Sequence, residues 1–165
     1  MEGSVEQLLV LTSEVSIATV ALSGIVMILA TTNLKLSFDK SARILGQLNM
    51  ASVVTIFAMV PLFLDHLDIS QDALWRIASS FYLGTVVFLL ALGFKRAQSN
   101  QKTTTMVRIV SVPGLSALVL LPLNILFVSV WPYLFQLLIA WVVSVLLFLM
   151  FIAEFLQEKV ESGAT

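Results

Sequence analysis

The stretch Tyr133–Phe155, YLFQLLIAWVVSVLLFLMFIAEF, carries only one charge, Glu154, and that charge lies next to its end. A helix needs about 20 apolar residues to cross a hydrocarbon core about 30 Å thick. The preceding stretch, Ile109–Val130, is also long and apolar, and only Trp131-Pro132 separates the two. Because proline lacks a backbone N–H and biases the residue before it away from helix, we predict two spans joined by a tight corner at Trp131-Pro132.

The composition of the whole chain agrees with a membrane protein. Its 165 residues are 59% hydrophobic and 12% charged, with a mean hydropathy of +1.01, whereas soluble domains carry about 25% charged residues. We therefore expect an all-α, polytopic membrane helix bundle that forms a single domain over residues 1–165. The first apolar run has no basic flank before it, so we interpret it as a retained span and not as a signal peptide. The expected transmembrane helices cover residues 8–30, 44–64, 74–94, 109–130 and 133–155.

The distribution of basic residues predicts the orientation. Loops rich in Lys and Arg stay in the cytoplasm during insertion. The second gap, residues 65–72, contains neither residue type, and Arg76 lies just inside the next run. We therefore expect an outside N-terminus and a cytoplasmic C-terminus, in the inner (plasma) membrane of a bacterial cell. The basic residues that would share the cytoplasmic side are Lys35, Lys40, Arg43, Lys95, Arg96, Lys102, Arg108 and Lys159.

The fourth apolar run allows an alternative. It contains Pro113, Gly114, Pro122 and Asn124, which are typical of a kink or of a substrate region in a broken helix. A re-entrant element here would leave four spans and move the C-terminus outside. We favour five spans, because neighbouring helices can satisfy the carbonyls that a proline frees. Asn124 is expected to bond with Gln136 across the final hairpin.

Two ion pairs are expected at the ends of the spans. Arg108 and Glu154 fall at equal depth at the inner interface, and Glu14 and Arg76 both fall near the outer interface. Functional alternatives are an inner gate or a proton-accepting Glu154, and an outer vestibule lined by Glu14. We favour structural pairs, because charges at helix ends in membrane proteins are commonly paired.

The first two runs each carry small polar residues on one face. If the hairpin turns near Ser37, Thr19 is level with Thr55. Small polar residues at matched depth allow close helix approach and hydrogen bonds between helices. The same face could instead line a pore, and we favour packing. The residues of this face are Ser16, Thr19, Ser23, Asn49, Ser52 and Thr55.

The remaining chemistry is sparse. The chain has no cysteine and one histidine, His66, which lies in an acidic loop. We expect no cofactor, no metal site and no nucleic-acid partner. The expected function is a non-catalytic subunit or scaffold of a membrane assembly, in contact with the lipid bilayer and with another membrane protein or further copies of itself. The alternative is an oligomeric pore or small transporter for a small solute or ion, and an outer-face enzyme that uses His66 ranks third.

Overall fold

The chain folds into a set of long α-helices. The computed structural model describes residues 3–33, 38–99 and 104–163, and the side chains of residues 3–26, 28, 46–92, 111–153 and 156–157. The described residues confirm the all-α fold class. The helices are α1 (Gly3–Asn33), α2 (Phe38–Asp65), α3 (Gln71–Ser99), α4 (Thr104–Phe127) and α5 (Val130–Gly163).

Several helices have the length and composition of membrane spans. Four described segments are long and apolar enough to cross a bilayer: Gly3–Val26, Gly46–Asp65, Gln71–Leu92 and Val130–Ala153. The described apolar part of α4 is shorter, from Ser111 to Phe127. The structure is therefore compatible with a multi-pass membrane protein.

Helices α2 and α5 form the centre of the bundle. They pack against each other, and α1 packs mainly against α2. Helices α3 and α4 form a second packed pair, in which α4 contacts α5 and α3 contacts α2. The apolar core lies where α2, α3, α4 and α5 meet. It contains stacked rings of Phe57 and Tyr82, whose centroids are 4.2 Å apart, and Tyr133 edge-on to both Tyr82 and Trp75. Offset and edge-to-face ring pairs add to the stabilisation that area burial supplies.

The contact between α1 and α2 uses small side chains at a repeat of three and four residues. This repeat keeps one stripe of each helix turned toward its partner in left-handed packing, and small residues let the backbones approach closely. The buried stripe of α1 is Leu9, Ser13, Ser16 and Ser23, and that of α2 is Gln47, Ala51, Val54, Ala58 and Pro61.

We expected the corner between the last two helices at Trp131-Pro132, but the structure places it elsewhere. Helix α4 ends at Phe127 and α5 begins at Val130, so the chain turns at Val128 and Ser129. Val128 has φ of 49° and its N–H donates to the Asn124 carbonyl. Pro132 lies in the first turn of α5, where a missing N–H costs little because that group has no partner within the helix.

Candidate functional site: polar side chains buried between the helices

A tyrosine hydroxyl on α5 bonds to the backbone of α2. Tyr133 is fully buried, and its hydroxyl donates to the carbonyl oxygen of Phe57 at 2.6 Å. In a regular helix that carbonyl accepts from the N–H four residues later, but residue 61 is a buried proline. The Tyr133 hydroxyl therefore replaces the donor that Pro61 lacks.

A buried glutamine joins α5 to α4. The Nε2 of Gln136 donates to the Pro113 carbonyl at 2.9 Å, and its Oε1 accepts from the Ser116 hydroxyl at 2.8 Å. Gln136 also lies beside the hydroxyl of Tyr82. An unpaired amide in an apolar interior is costly. Both ends of the Gln136 side chain are satisfied by α4, around Pro113.

A buried asparagine joins α4 to α3. The Nδ2 of Asn124 donates to the Ser79 hydroxyl at 2.7 Å, and its Oδ1 has no partner among the described residues. The expected bond between Asn124 and Gln136 is therefore not formed. The chain turns three residues earlier than expected, at Val128-Ser129 and not at Trp131-Pro132, which changes the register of α4 against α5. Gln136 consequently meets Ser116 and not Asn124.

A third polar contact connects α1, α2 and α5. The Nε2 of Gln47 donates to the Ser23 hydroxyl at 2.5 Å, and the Ser144 hydroxyl donates to the Gln47 carbonyl at 3.3 Å. All three side chains are buried. Gln47 therefore joins the first two helices by a side-chain hydrogen bond. The polar face predicted from the sequence did not include it.

The hydroxyls expected on α1 have separate environments. Ser16 is fully buried, and its Oγ has no partner among the described residues. Thr19 is half-buried and donates to the Val15 carbonyl of its own helix at 2.8 Å. Ser23 accepts from Gln47 and donates to the Thr19 carbonyl at 2.6 Å.

The polar residues expected on α2 do not form one buried face. Asn49 is exposed, and Ser52 is half-buried. Thr55 donates to the Ala51 carbonyl at 3.0 Å. Ser23 meets Gln47, so the register of α1 against α2 differs from the one that a turn near Ser37 predicts.

The two expected ion pairs have different outcomes. Glu14 and Arg76 are both exposed, on α1 and α3, which do not pack extensively against each other. Within the described side chains, no salt bridge joins them. The side chains of Arg108 and Glu154 lie outside the described residues, so their pairing stays a prediction. The structure does place their helices, α4 and α5, in contact.

His66 lies in the connection between α2 and α3. His66 is exposed, and its Nδ1 lies 2.8 Å from the Leu62 carbonyl oxygen. No group of three or more His, Asp or Glu side chains is close enough to hold a metal ion, within the described residues. Gln71 donates to Asp65 at 2.9 Å, and Ser70 caps the start of α3 by accepting from the Ala73 N–H at 3.4 Å.

Sequence reasoning missed several residues that carry the interior contacts. The sequence does show the amide of Gln47 and the carbonyl that Pro61 leaves without a donor, and each requires a hydrogen-bond partner in an apolar interior. The spacing of residues along the chain does not show which side chains are these partners. The missed residues are Gln47, Pro61, Ser79, Tyr82, Ser116 and Tyr133.

Comparison of the chain with protein-family models, with curated proteins and with solved structures finds no match.

Proposed function

We propose that this chain is an integral membrane protein with five spans, an outside N-terminus and a cytoplasmic C-terminus, in the inner membrane of a bacterial cell. The clustering of Lys and Arg outside the second gap supports this orientation. The length of α4 supports the fifth span, because its 24 residues extend about 36 Å at 1.5 Å per residue. The Pro113 carbonyl accepts from Gln136 of α5, and such bonds between helices are typical of packed membrane spans.

Its function in this proposal is that of a non-catalytic subunit or scaffold, which recognises another membrane protein through its helix faces. The observation that carries the proposal is the use of the buried polar side chains. Gln47, Asn124, Gln136 and Tyr133 each bond to a neighbouring helix. Side chains committed to such bonds fix the arrangement of the helices, and this rigid bundle presents its outer faces to a partner.

Helix α3 offers a face for such a partner. Ser80 and Gly84 lie one turn apart on its exposed side, and a Cβ atom added to Gly84 would contact nothing within 4 Å. Small residues at this spacing let another helix approach closely. The surrounding exposed side chains are large and apolar, among them Ile77, Phe81 and Phe88.

Native mass spectrometry of the gently extracted, tagged protein tests this function. We expect a foreign membrane protein in a fixed ratio to the chain, and loss of that companion in Gly84→Leu. Val119→Leu, on the exposed side of α4, is the matched control and should retain it. A chain that emerges alone, or a companion that Gly84→Leu leaves bound, contradicts the scaffold proposal.

A pore or small transporter is the second candidate, because two of the three buried side-chain polar atoms that lack a partner among the described residues belong to a hydroxyl and an amide. These atoms are Ser16 Oγ and Asn124 Oδ1, and Asn124 belongs to a helix with two internal prolines. Since the chain has no cysteine, single Ser16→Cys and Asn124→Cys variants can be tested with a water-soluble thiol reagent. Labelling of both in membranes, with Ala78→Cys protected as the buried apolar control, would support a hydrated path. Protection of all three supports the scaffold.

A further inference from the structure

An apolar groove runs along the outside of the bundle between α1 and α5. It has a volume of about 300 Å³, which is at the lower end of ligand-binding clefts. Helix α1 makes few contacts with α5, and the gap between them is open to the side. Its lining includes Thr12 and Val15 from α1, and Trp131, Leu134, Leu138 and Trp141 from α5.

The described side chains that line the groove offer an occupant no free hydrogen-bond donor. The Thr12 hydroxyl donates to the Leu8 carbonyl of its own helix at 2.7 Å. The indole Nε1 of Trp141 is buried and without a partner among the described residues, so it cannot face the open space of the groove. Trp141 therefore presents only ring carbon to that space. Hydrocarbon is the chemistry that fits such a lining.

The length of the groove matches one leaflet of a bilayer. Trp131 and Trp141 are ten residues apart on α5, which is about 15 Å at 1.5 Å per residue. Half of a hydrocarbon core about 30 Å thick has the same depth. Trp131 is 61% exposed at the start of α5, where amphipathic rings favour the headgroup level. Trp141 then marks the middle of the bilayer.

The groove is too small to enclose a helix. A helix about 10 Å across fills about 1,200 Å³ over 15 Å of length, which is more than the open space between α1 and α5. The groove is continuous with the apolar outer surface of α1 and α5, because Leu11, Phe135 and Leu138 on its edges are exposed. In a membrane-spanning chain that surface contacts lipid tails.

We propose that this groove holds one acyl chain of a phospholipid from the leaflet in which Trp131 lies, with the end of the chain against Trp141. The proposal rests on the membrane-spanning arrangement proposed above. The bound chain fills the gap that α1 leaves beside α5 and restores the close packing typical of protein interiors. It thereby fixes α1 against the rest of the bundle.

Quenching of tryptophan fluorescence by brominated phospholipid tests the proposal. The chain has three tryptophans, so two double variants each keep a single one. Trp75→Phe with Trp131→Phe keeps only Trp141. Trp75→Phe with Trp141→Phe keeps only Trp131. In phosphatidylcholine vesicles, we expect bromine near the chain end to quench Trp141 more strongly than bromine near the glycerol, and the reverse for Trp131. Val15→Phe, which fills the groove, should reduce the quenching of Trp141. Val119→Phe, on the exposed side of α4, should leave it unchanged.

The outcomes separate this proposal from the one on which it rests. If neither tryptophan is quenched, the chain does not insert and both proposals fail. If Trp131 is quenched but Val15→Phe and Val119→Phe affect Trp141 equally, the chain inserts and the groove holds no lipid. Native mass spectrometry of chains that keep all three tryptophans gives a second measurement. We expect the original chain to retain one phospholipid tightly, Val15→Phe to lose it and Val119→Phe to keep it. Equal retention in both variants overturns the proposal.

Discussion

The hydroxyl of Tyr133 donates a hydrogen bond of 2.6 Å to the carbonyl of Phe57, the group that Pro61 leaves without a donor in its own helix. One side chain of α5 thus repairs a backbone defect of α2. The contact explains how a proline can be buried inside a long apolar helix, and it joins the two central helices of the bundle.

We predict that Tyr133→Phe destabilises the protein only where Pro61 is present. Loss of the hydroxyl leaves the Phe57 carbonyl unpaired, at a cost of about 1–2 kcal/mol in the free energy of unfolding. In a Pro61→Ala background, the new N–H supplies the donor, and Tyr133→Phe should cost much less. Denaturation of the four proteins in mixed micelles measures this coupling. An equal cost in both backgrounds would show that the hydroxyl does not serve the freed carbonyl.

The two amides Gln136 and Asn49 should respond oppositely to the same change. Gln136→Leu removes both bonds to α4 around Pro113 and should destabilise the fold by about 1–3 kcal/mol. Asn49 is exposed on a helix that we place in the membrane, so Asn49→Leu should be neutral or stabilising there. Comparison of their thermal midpoints in the same detergent decides the point. A loss of stability in Asn49→Leu as large as that in Gln136→Leu would contradict this assignment.

Two glycines in the helices should differ in their tolerance of alanine. Replacement of a helical glycine by alanine stabilises by up to about 1 kcal/mol when space is available. Gly84→Ala should show this gain, because its Cβ meets nothing within 4 Å. Gly114→Ala should show less or none, because its Cβ would lie 2.6 Å from Leu90 Cδ2. Leu90→Ala should restore the gain at position 114, and failure to do so would rule out this contact as the cause.

The number of spans can be decided with single cysteines. Ser70, in the α2–α3 connection, and Gln157, near the end of α5, are both exposed. With five spans they lie on opposite sides of the membrane, so a membrane-impermeant thiol reagent applied to intact cells should label Ser70→Cys alone. Both should react once the cells are opened. Labelling of both in intact cells would indicate four spans and a re-entrant α4.

The end of the last hairpin at which Arg108 and Glu154 lie provides a further prediction. Arg108→Glu and Glu154→Arg should each destabilise the protein, and the double variant should recover part of that loss, because opposite charges at equal depth attract each other. Unfolding of all four proteins in the same detergent at low salt measures the recovery. A double variant no more stable than the singles would exclude the pair.

Some features of the fold follow from local chemistry along the chain. An apolar run about 20 residues long forms a helix in lipid because its backbone groups have no other partners there. The long apolar runs and their grouping into helices could therefore be predicted, and so could the burial of Ser16, Ser23 and Gln136. The corner at Trp131-Pro132 could not, because proline suits the first turn of a helix as well as a corner. The chain instead turns at Val128.

The sequence by itself determined the helical class, the apolar outer surfaces and the charge bias of the loops, since each depends on residues close together in the chain. Only the tertiary structure decided the partners of the buried polar groups: Gln47 with Ser23, Asn124 with Ser79, and Tyr133 with the carbonyl that Pro61 frees. A shift of two residues in a connection turns a helix by more than half of its circumference, at 3.6 residues per turn. Each partner therefore depends on where the helices end and how they rotate against each other.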